Sequence, residues 1–206
     1  MTLPRQQVPW AVWPLWVTAS AVGSGLGAFA YDWYQRTSRD GQSVPIVITA
    51  GLVILTLPAI LQWLVVRRWV PQAGWWIVAS AVGNFLGFFP IGWGINRLYP
   101  SPYASEVAVF AAFLLSGAVA GGMEWLVLRR WVWQAGWWVL ARSIGSYGAI
   151  YVFAFVTKGA DVRFFLGGLT SGAASGVVAG LALALLLRNP KTNDRTRPRD
   201  DGRPTQ

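Results

Sequence analysis

Two ionisable residues, Glu124 and Arg142, stand in otherwise apolar stretches and are the first candidates for chemistry in this sequence of 206 residues. Glu124 follows an uncharged run over 107–123, and Arg142 precedes another over 143–157. An embedded charge without a partner is costly, so we expect the two side chains to form an ion pair. The alternative is that each of them extends separately to a polar surface.

Other reactive side chains are scarce. The chain has no histidine and no cysteine, which removes the commonest proton shuttle, the commonest metal ligands and all thiol chemistry. With a single embedded carboxylate, no nucleophile–base pair, paired-carboxylate site or metal-ligand set can be assembled. We therefore predict a protein that is not an enzyme, with no catalytic residue, metal site or cofactor.

Long uncharged segments must position the two charged residues. Four runs lack Asp, Glu, Lys and Arg, namely 6–31, 41–66, 69–96 and 164–187. A membrane-spanning helix needs roughly 20 apolar residues, and two further spans result if Glu124 and Arg142 lie inside their helices. We predict six transmembrane helices, at about 10–31, 44–66, 74–95, 107–128, 136–156 and 164–187.

The sequence repeats itself. QWLVVRRWVPQAGWW at 62–76 and EWLVLRRWVWQAGWW at 124–138 are identical at 12 of 15 positions. The string ASAVG also occurs twice, at 19–23 and 79–83. Such repeats predict an all-α membrane protein in which three helical hairpins form a pseudo-threefold bundle. The hairpins are expected at about 8–68, 70–130 and 132–188.

The copies differ at the positions that could do chemistry. At the offset of 62 residues, Gln62 and Ser80 are the neutral equivalents of Glu124 and Arg142. Both positions change together, as an ion pair would require. The last helix departs from the pattern, and its Leu183-Ala184 aligns with Gln62-Trp63 and Glu124-Trp125.

Basic residues indicate the orientation of the domain over 1–188. Eleven Lys and Arg lie at the termini and after the second and fourth helices, against five in the opposite loops. The positive-inside rule then places both termini in the cytoplasm. The segment 189–206 is expected to be a disordered basic cytoplasmic tail. Topology and tail explain the net charge of +9, so no nucleic acid is implied.

The repeated loops combine arginine with tryptophan. Arginines near a membrane surface attract anionic headgroups, and tryptophan prefers the interface. We predict a cytoplasmic surface for anionic lipid or for a partner in a membrane complex; an aromatic belt with a topology signal is the simpler interpretation. The predicted lipid or partner surface consists of Arg67, Arg68, Trp69, Trp75, Trp76, Arg129, Arg130, Trp131, Trp137 and Trp138.

Glycines recur every four residues in the last predicted helix, at Gly168, Gly172, Gly176 and Gly180. This spacing puts them on one face and lets a second helix approach closely. We expect that face to pack inside the monomer, with homo-oligomer formation as the alternative.

The segments 62–78 and 124–140 resemble a group of small multi-pass membrane proteins of the cyanobacterial type, marked by repeated QWLVLRR and AGWWV strings. The resemblance implies an integral membrane protein of uncharacterised role in a bacterial inner membrane, with a thylakoid membrane as the alternative, and it supplies no catalytic residues. We therefore predict a structural or accessory protein. A small transporter or channel using Glu124 and Arg142 is the main alternative, and pigment binding is less favoured because histidine is absent.

Overall fold

A computed structural model of the chain describes residues 10–37, 56–98, 106–157 and 163–188. Within these ranges the chain forms six helices, which confirms the prediction of an all-helical protein. The predicted tail over 189–206 lies outside the described residues, as does the first half of the second predicted helix. The helices are α1 Val12–Thr37, α2 Thr56–Val66, α3 Gly74–Leu98, α4 Glu106–Leu128, α5 Gly136–Thr157 and α6 Arg163–Leu187.

Among the described residues, three helices are long and apolar enough to cross a membrane, through Ala111–Leu128, Gly136–Thr157 and Phe164–Leu187. Their 18, 22 and 24 residues correspond to about 27, 33 and 36 Å of helix. The hydrocarbon core of a bilayer is about 30 Å thick. Glu124 lies within the first of these candidate spans and Arg142 within the second, so both charges stand in apolar helices.

The connections before α3 and α5 have the same backbone conformation. Gln72 and Gln134 have positive φ values of 57° and 60°. The carbonyl of each accepts a hydrogen bond from a tryptophan N–H three residues later, at 3.2 Å for Trp75 and 3.0 Å for Trp137. The left-handed residue lets the chain reverse within seven residues, although it costs a side-chain-bearing residue about 1–2 kcal/mol.

Neighbouring helices pack in the order α3, α4, α5, α6, α1, so the first and last helices are in contact. The glycines of α6 lie at this contact. A methyl group added to Gly168 would lie 2.5 Å from the Ser24 carbonyl oxygen, and one added to Gly180 would lie 2.9 Å from Trp16. Only hydrogen fits at these positions, so the glycine face of α6 is covered by α1. The α2 helix also contacts α1, where Gly23 meets Pro58.

One end of the bundle is defined by the connections 67–73 and 129–135 together with Trp10 and Arg188, and we call it the Trp–Arg end. Buried side chains from all six helices and both connections form one hydrophobic cluster there. The cluster consists of Val12, Trp16, Val66, Val70, Ala73, Trp76, Leu128, Val132, Ala135, Trp138, Ala179, Leu183, Leu186 and Leu187.

Candidate functional site

Three tryptophans form the centre of the cluster. The ring centres of Trp16, Trp76 and Trp138 are 5.5 to 5.6 Å apart in all three pairs. The rings meet edge to face at 67° to 85°, which is a favourable aromatic geometry. All three side chains are fully buried. Rings at these separations are in contact, so the bundle is closed at this level.

The assignment of Trp76 and Trp138 to the cytoplasmic surface for anionic lipid or a partner is therefore wrong, because both side chains are buried. Each belongs to a Trp-Trp pair, and consecutive residues of a helix point about 100° apart. The first residue of each pair faces outward: Trp75 is 63% exposed and Trp137 is 60% exposed. Of the other predicted surface residues, the four arginines are exposed, whereas Trp69 and Trp131 are partly buried and pack against the cluster.

Glu124 lies beside the tryptophans, fully buried, and contacts two neighbouring helices. Its Oε1 accepts a hydrogen bond of 2.8 Å from the Ser80 hydroxyl of α3, and its Oε2 accepts one of 2.8 Å from Trp138 Nε1 of α5. Arg142 Nε lies 3.0 Å from the same Oε2. This N–H does not point along the contact, which makes it an ion pair rather than a directed hydrogen bond. Both carboxylate oxygens are thus occupied.

The equivalent contact in the first copy is neutral. Gln62 Nε2 donates a hydrogen bond of 3.2 Å to the Ser20 hydroxyl, and both residues are buried. The alignment of Leu183 with these polar positions is wrong, because Gly176 on α6 meets Val17 and Ser20 of α1 in the way that Gly121, three residues before Glu124, meets Val139 and Arg142 of α5. The position on α6 level with Glu124 is therefore Ala179, which cannot accept a hydrogen bond. Sequence alignment missed this register because α6 has no polar side chain between Ser175 and its end at Leu187.

The absence of an acceptor on α6 explains an unusual feature of Trp16. Its ring edge faces Gly180 on α6: a methyl group added to Gly180 would lie 2.9 Å from Trp16 Cδ1. Its indole N–H is buried and has no hydrogen-bond partner among the described residues, unlike that of Trp138. The indole N–H of Trp76 is also buried and has no hydrogen-bond partner among the described residues.

Three arginines at the Trp–Arg end stack on tryptophan rings. Each follows the last turn of an even-numbered helix. Two stack on the tryptophan four residues earlier on the same helix face, and the third, Arg188, stacks on Trp10 from the opposite end of the chain. The distances from guanidinium carbon to ring centre are 5.1 Å for Arg67–Trp63, 5.0 Å for Arg129–Trp125 and 3.9 Å for Arg188–Trp10.

Sequence reasoning did not assign Trp10, Arg188 or Trp133 to this surface, although Trp10 is 51% and Trp133 is 61% exposed. Arg188 could have been found from its position directly after α6, which matches Arg67 after α2. Trp10 could not, because its contact joins residues 178 positions apart.

The charges of the two ends are unequal. Five arginines are exposed at the Trp–Arg end, namely Arg67, Arg68, Arg129, Arg130 and Arg188. The acidic residues in the described ranges are Asp32, Glu106 and Glu124. Glu124 is buried against Arg142, while Asp32 pairs with Arg36 at 3.0 Å near the other end. Glu106 is the first residue of α4 and therefore lies at the opposite end of that helix from Arg129. Within the described residues, therefore, no exposed carboxylate neutralises the five arginines, and this end can bind anions.

Among the described residues no group of three or more acidic side chains could hold a metal ion. Comparison with protein-family models, curated proteins and solved structures finds no match to this chain. The function is therefore inferred from the geometry of the exposed arginines and of the buried Glu124.

Proposed function

We propose that this chain is a non-enzymatic integral membrane protein of a structural or accessory kind, which holds anionic lipid at its Trp–Arg end. The observation that carries the proposal is the set of five exposed arginines without an exposed carboxylate among the described residues of that end. Exposed indoles accompany them, including Trp75 and Trp137. Basic residues near a membrane surface each contribute about 1 kcal/mol of attraction to anionic lipid.

In this proposal the protein crosses the membrane six times as three hairpins in a pseudo-threefold bundle. Two observations support the repeat. Trp16, Trp76 and Trp138 come from α1, α3 and α5 and are nearly equidistant. The connections 67–73 and 129–135 form the same backbone hydrogen bonds, with 2.8 Å from the first arginine N–H to the tryptophan carbonyl in both. The distribution of basic residues favours a cytoplasmic location for the Trp–Arg end and both termini.

Binding of defined lipids by the purified protein tests the function. Protein in detergent is titrated with phosphatidylglycerol or phosphatidylcholine, and bound lipids are counted by native mass spectrometry. The proposal expects retention of phosphatidylglycerol at least about tenfold tighter than phosphatidylcholine, since several arginines contribute. Equal retention of the two lipids would remove the basis of the proposal. A reporter fused to the C-terminus tests the orientation, and an external signal would reverse it.

Transport through Glu124 is less well supported. A carboxylate on a transport path has to exchange partners, whereas both oxygens of Glu124 are occupied and the side chain is fully buried. Among the described residues, the contacting rings of Trp16, Trp76 and Trp138 close the bundle beside it. Dimer formation through the glycines of α6 is disfavoured too, because α1 covers that face.

A further inference from the structure

We propose that Arg67, Arg129 and Arg188 are three phosphate clamps, each binding the phosphodiester of an anionic lipid through paired N–H groups. The inference rests on the proposed function and adds to it the atoms that bind and the number of sites. One clamp follows each even-numbered helix, so up to three lipids can be held around the Trp–Arg end.

Stacking on an indole is what distinguishes these arginines from their neighbours. A cation within about 6 Å of a ring centre is attracted to the ring face, and the three distances of 3.9 to 5.1 Å satisfy this condition. A guanidinium group held over a ring is restricted in orientation, and all three side chains are exposed, so the N–H edge of each is accessible to a ligand. That edge matches two phosphate oxygens, and an oriented side chain loses less entropy when it binds.

Arg68 and Arg130 provide an internal comparison. Each is exposed and next in sequence to a stacked arginine, and within the described residues neither has a ring partner or an ion pair. They carry the same charge at the same end of the molecule, but among the described residues no indole ring lies against their guanidinium groups. The inference therefore separates two contributions to lipid binding, the charge itself and the orientation of the guanidinium group.

A lipid is a better occupant than a soluble phosphate. The clamps follow the ends of apolar helices, where headgroup phosphates lie if these helices span the membrane. Large apolar side chains are exposed at the same end, with Trp133 at 61% and Trp137 at 60%. A free phosphate would leave these indoles in water, whereas the glycerol and acyl region of a lipid covers them.

Arginine-to-lysine substitutions test the clamps because they keep every charge. We compare R67K/R129K/R188K with R68K/R130K in the phosphatidylglycerol titration. A lysine cannot bind two oxygens through a planar fork, so the clamp variant should bind phosphatidylglycerol about tenfold more weakly. The control variant should change by less than about threefold, because a flexible point charge replaces a flexible guanidinium group. Unfolding temperatures are measured for both variants to establish that the fold is intact.

A second variant removes a ring instead of an arginine. Trp10→Leu frees Arg188 from its stack and leaves the charge unchanged, and Trp10 is 51% exposed and outside the buried cluster. It should lose one tightly bound phosphatidylglycerol.

The outcomes distinguish a failure of the arginine clamps from a failure of the proposed lipid binding. Equal losses in the lysine variants, or none in either, would overturn the clamps while leaving a charged lipid-binding surface intact. No preference of the wild-type protein for phosphatidylglycerol would overturn the proposed function itself. Displacement of phosphatidylglycerol by millimolar inorganic phosphate would show that the occupant is a soluble anion, and this also contradicts the lipid clamps.

Discussion

Replacing Arg142 by methionine should destabilise the protein by about 3–5 kcal/mol, which is the usual effect of stranding a buried charge. Methionine keeps an aliphatic stem, which matters because the Arg142 Cβ and Cγ atoms lie against Gly121 on α4. The substitution therefore removes the charge and little of the packing. Glu124 retains its hydrogen bonds from Ser80 and Trp138, so the lower end of the range is expected.

The reverse substitution, Glu124→Gln, should cost less, about 1–3 kcal/mol, because the stranded Arg142 side chain is 11% exposed and can shift toward polar surroundings. The double variant makes this part of the bundle neutral. A glutamine at 124 can donate to the Ser80 hydroxyl, as Gln62 donates to Ser20 in the first copy. We expect the double variant to lie within about 1 kcal/mol of the wild type, with a coupling of at least about 2 kcal/mol.

Thermal unfolding in detergent, followed by near-ultraviolet circular dichroism of the tryptophans, measures all four states of this cycle. For a chain of this size, R142M should lower the transition by about 10 °C. The matched control is Arg36→Met, which breaks an exposed ion pair of the same 3.0 Å length with Asp32 and should cost less than about 1 kcal/mol. Additive effects of E124Q and R142M, or an equal effect of R36M, would refute the reasoning.

Three further substitutions have expected effects on the same unfolding transition. Gln62→Glu should destabilise by about 2–4 kcal/mol, since it buries a carboxylate with no arginine beside it; no change would mean that water reaches this position. Gly172→Leu should separate α1 from α6 or prevent folding, because a methyl group there meets Ser20, whereas Gly148→Leu, with nothing within 4 Å, should have little effect; equal stability of the two would place the contact elsewhere. Gln72→Gly should stabilise by about 0.5–1 kcal/mol by relieving the positive φ of 57°, and a lower transition would contradict that account.

The sequence predicted the helices well. All six described helices end within six residues of the predicted position, and five of them also begin within two residues of it; the predicted start of the second helix lies outside the described residues. Charged and turn-forming residues interrupt the apolar runs at those points. Arg142 and Glu124 were also expected beside each other, and the clue was that both positions are neutral in the first copy.

What the sequence could not give is the direction in which each side chain faces. Trp75 and Trp76 are adjacent and chemically identical, yet one is 63% exposed and the other is fully buried. Hydropathy is the same for both, and only the rotation of α3 against its neighbours separates them. The correspondence of Ala179 with Glu124 was missed for a similar reason. The small and apolar residues around Ala179 do not fix the axial register of α6 against its neighbours.

The contact between α1 and α6 has a consequence for biosynthesis. α1 is made before α6, and its side that carries Ser20 and Ser24 packs against α6. Until α6 is made, the Ser20 hydroxyl can already accept the hydrogen bond from Gln62 of α2, but the surface around Ser24 lacks its final partner. In the proposed six-span topology, lipid or the insertion machinery covers this surface during that time. Packing of α6 against α1 then completes this contact. A chain truncated before α6 would leave the side of α1 that carries Ser20 and Ser24 exposed, and cellular quality control could recognise that surface.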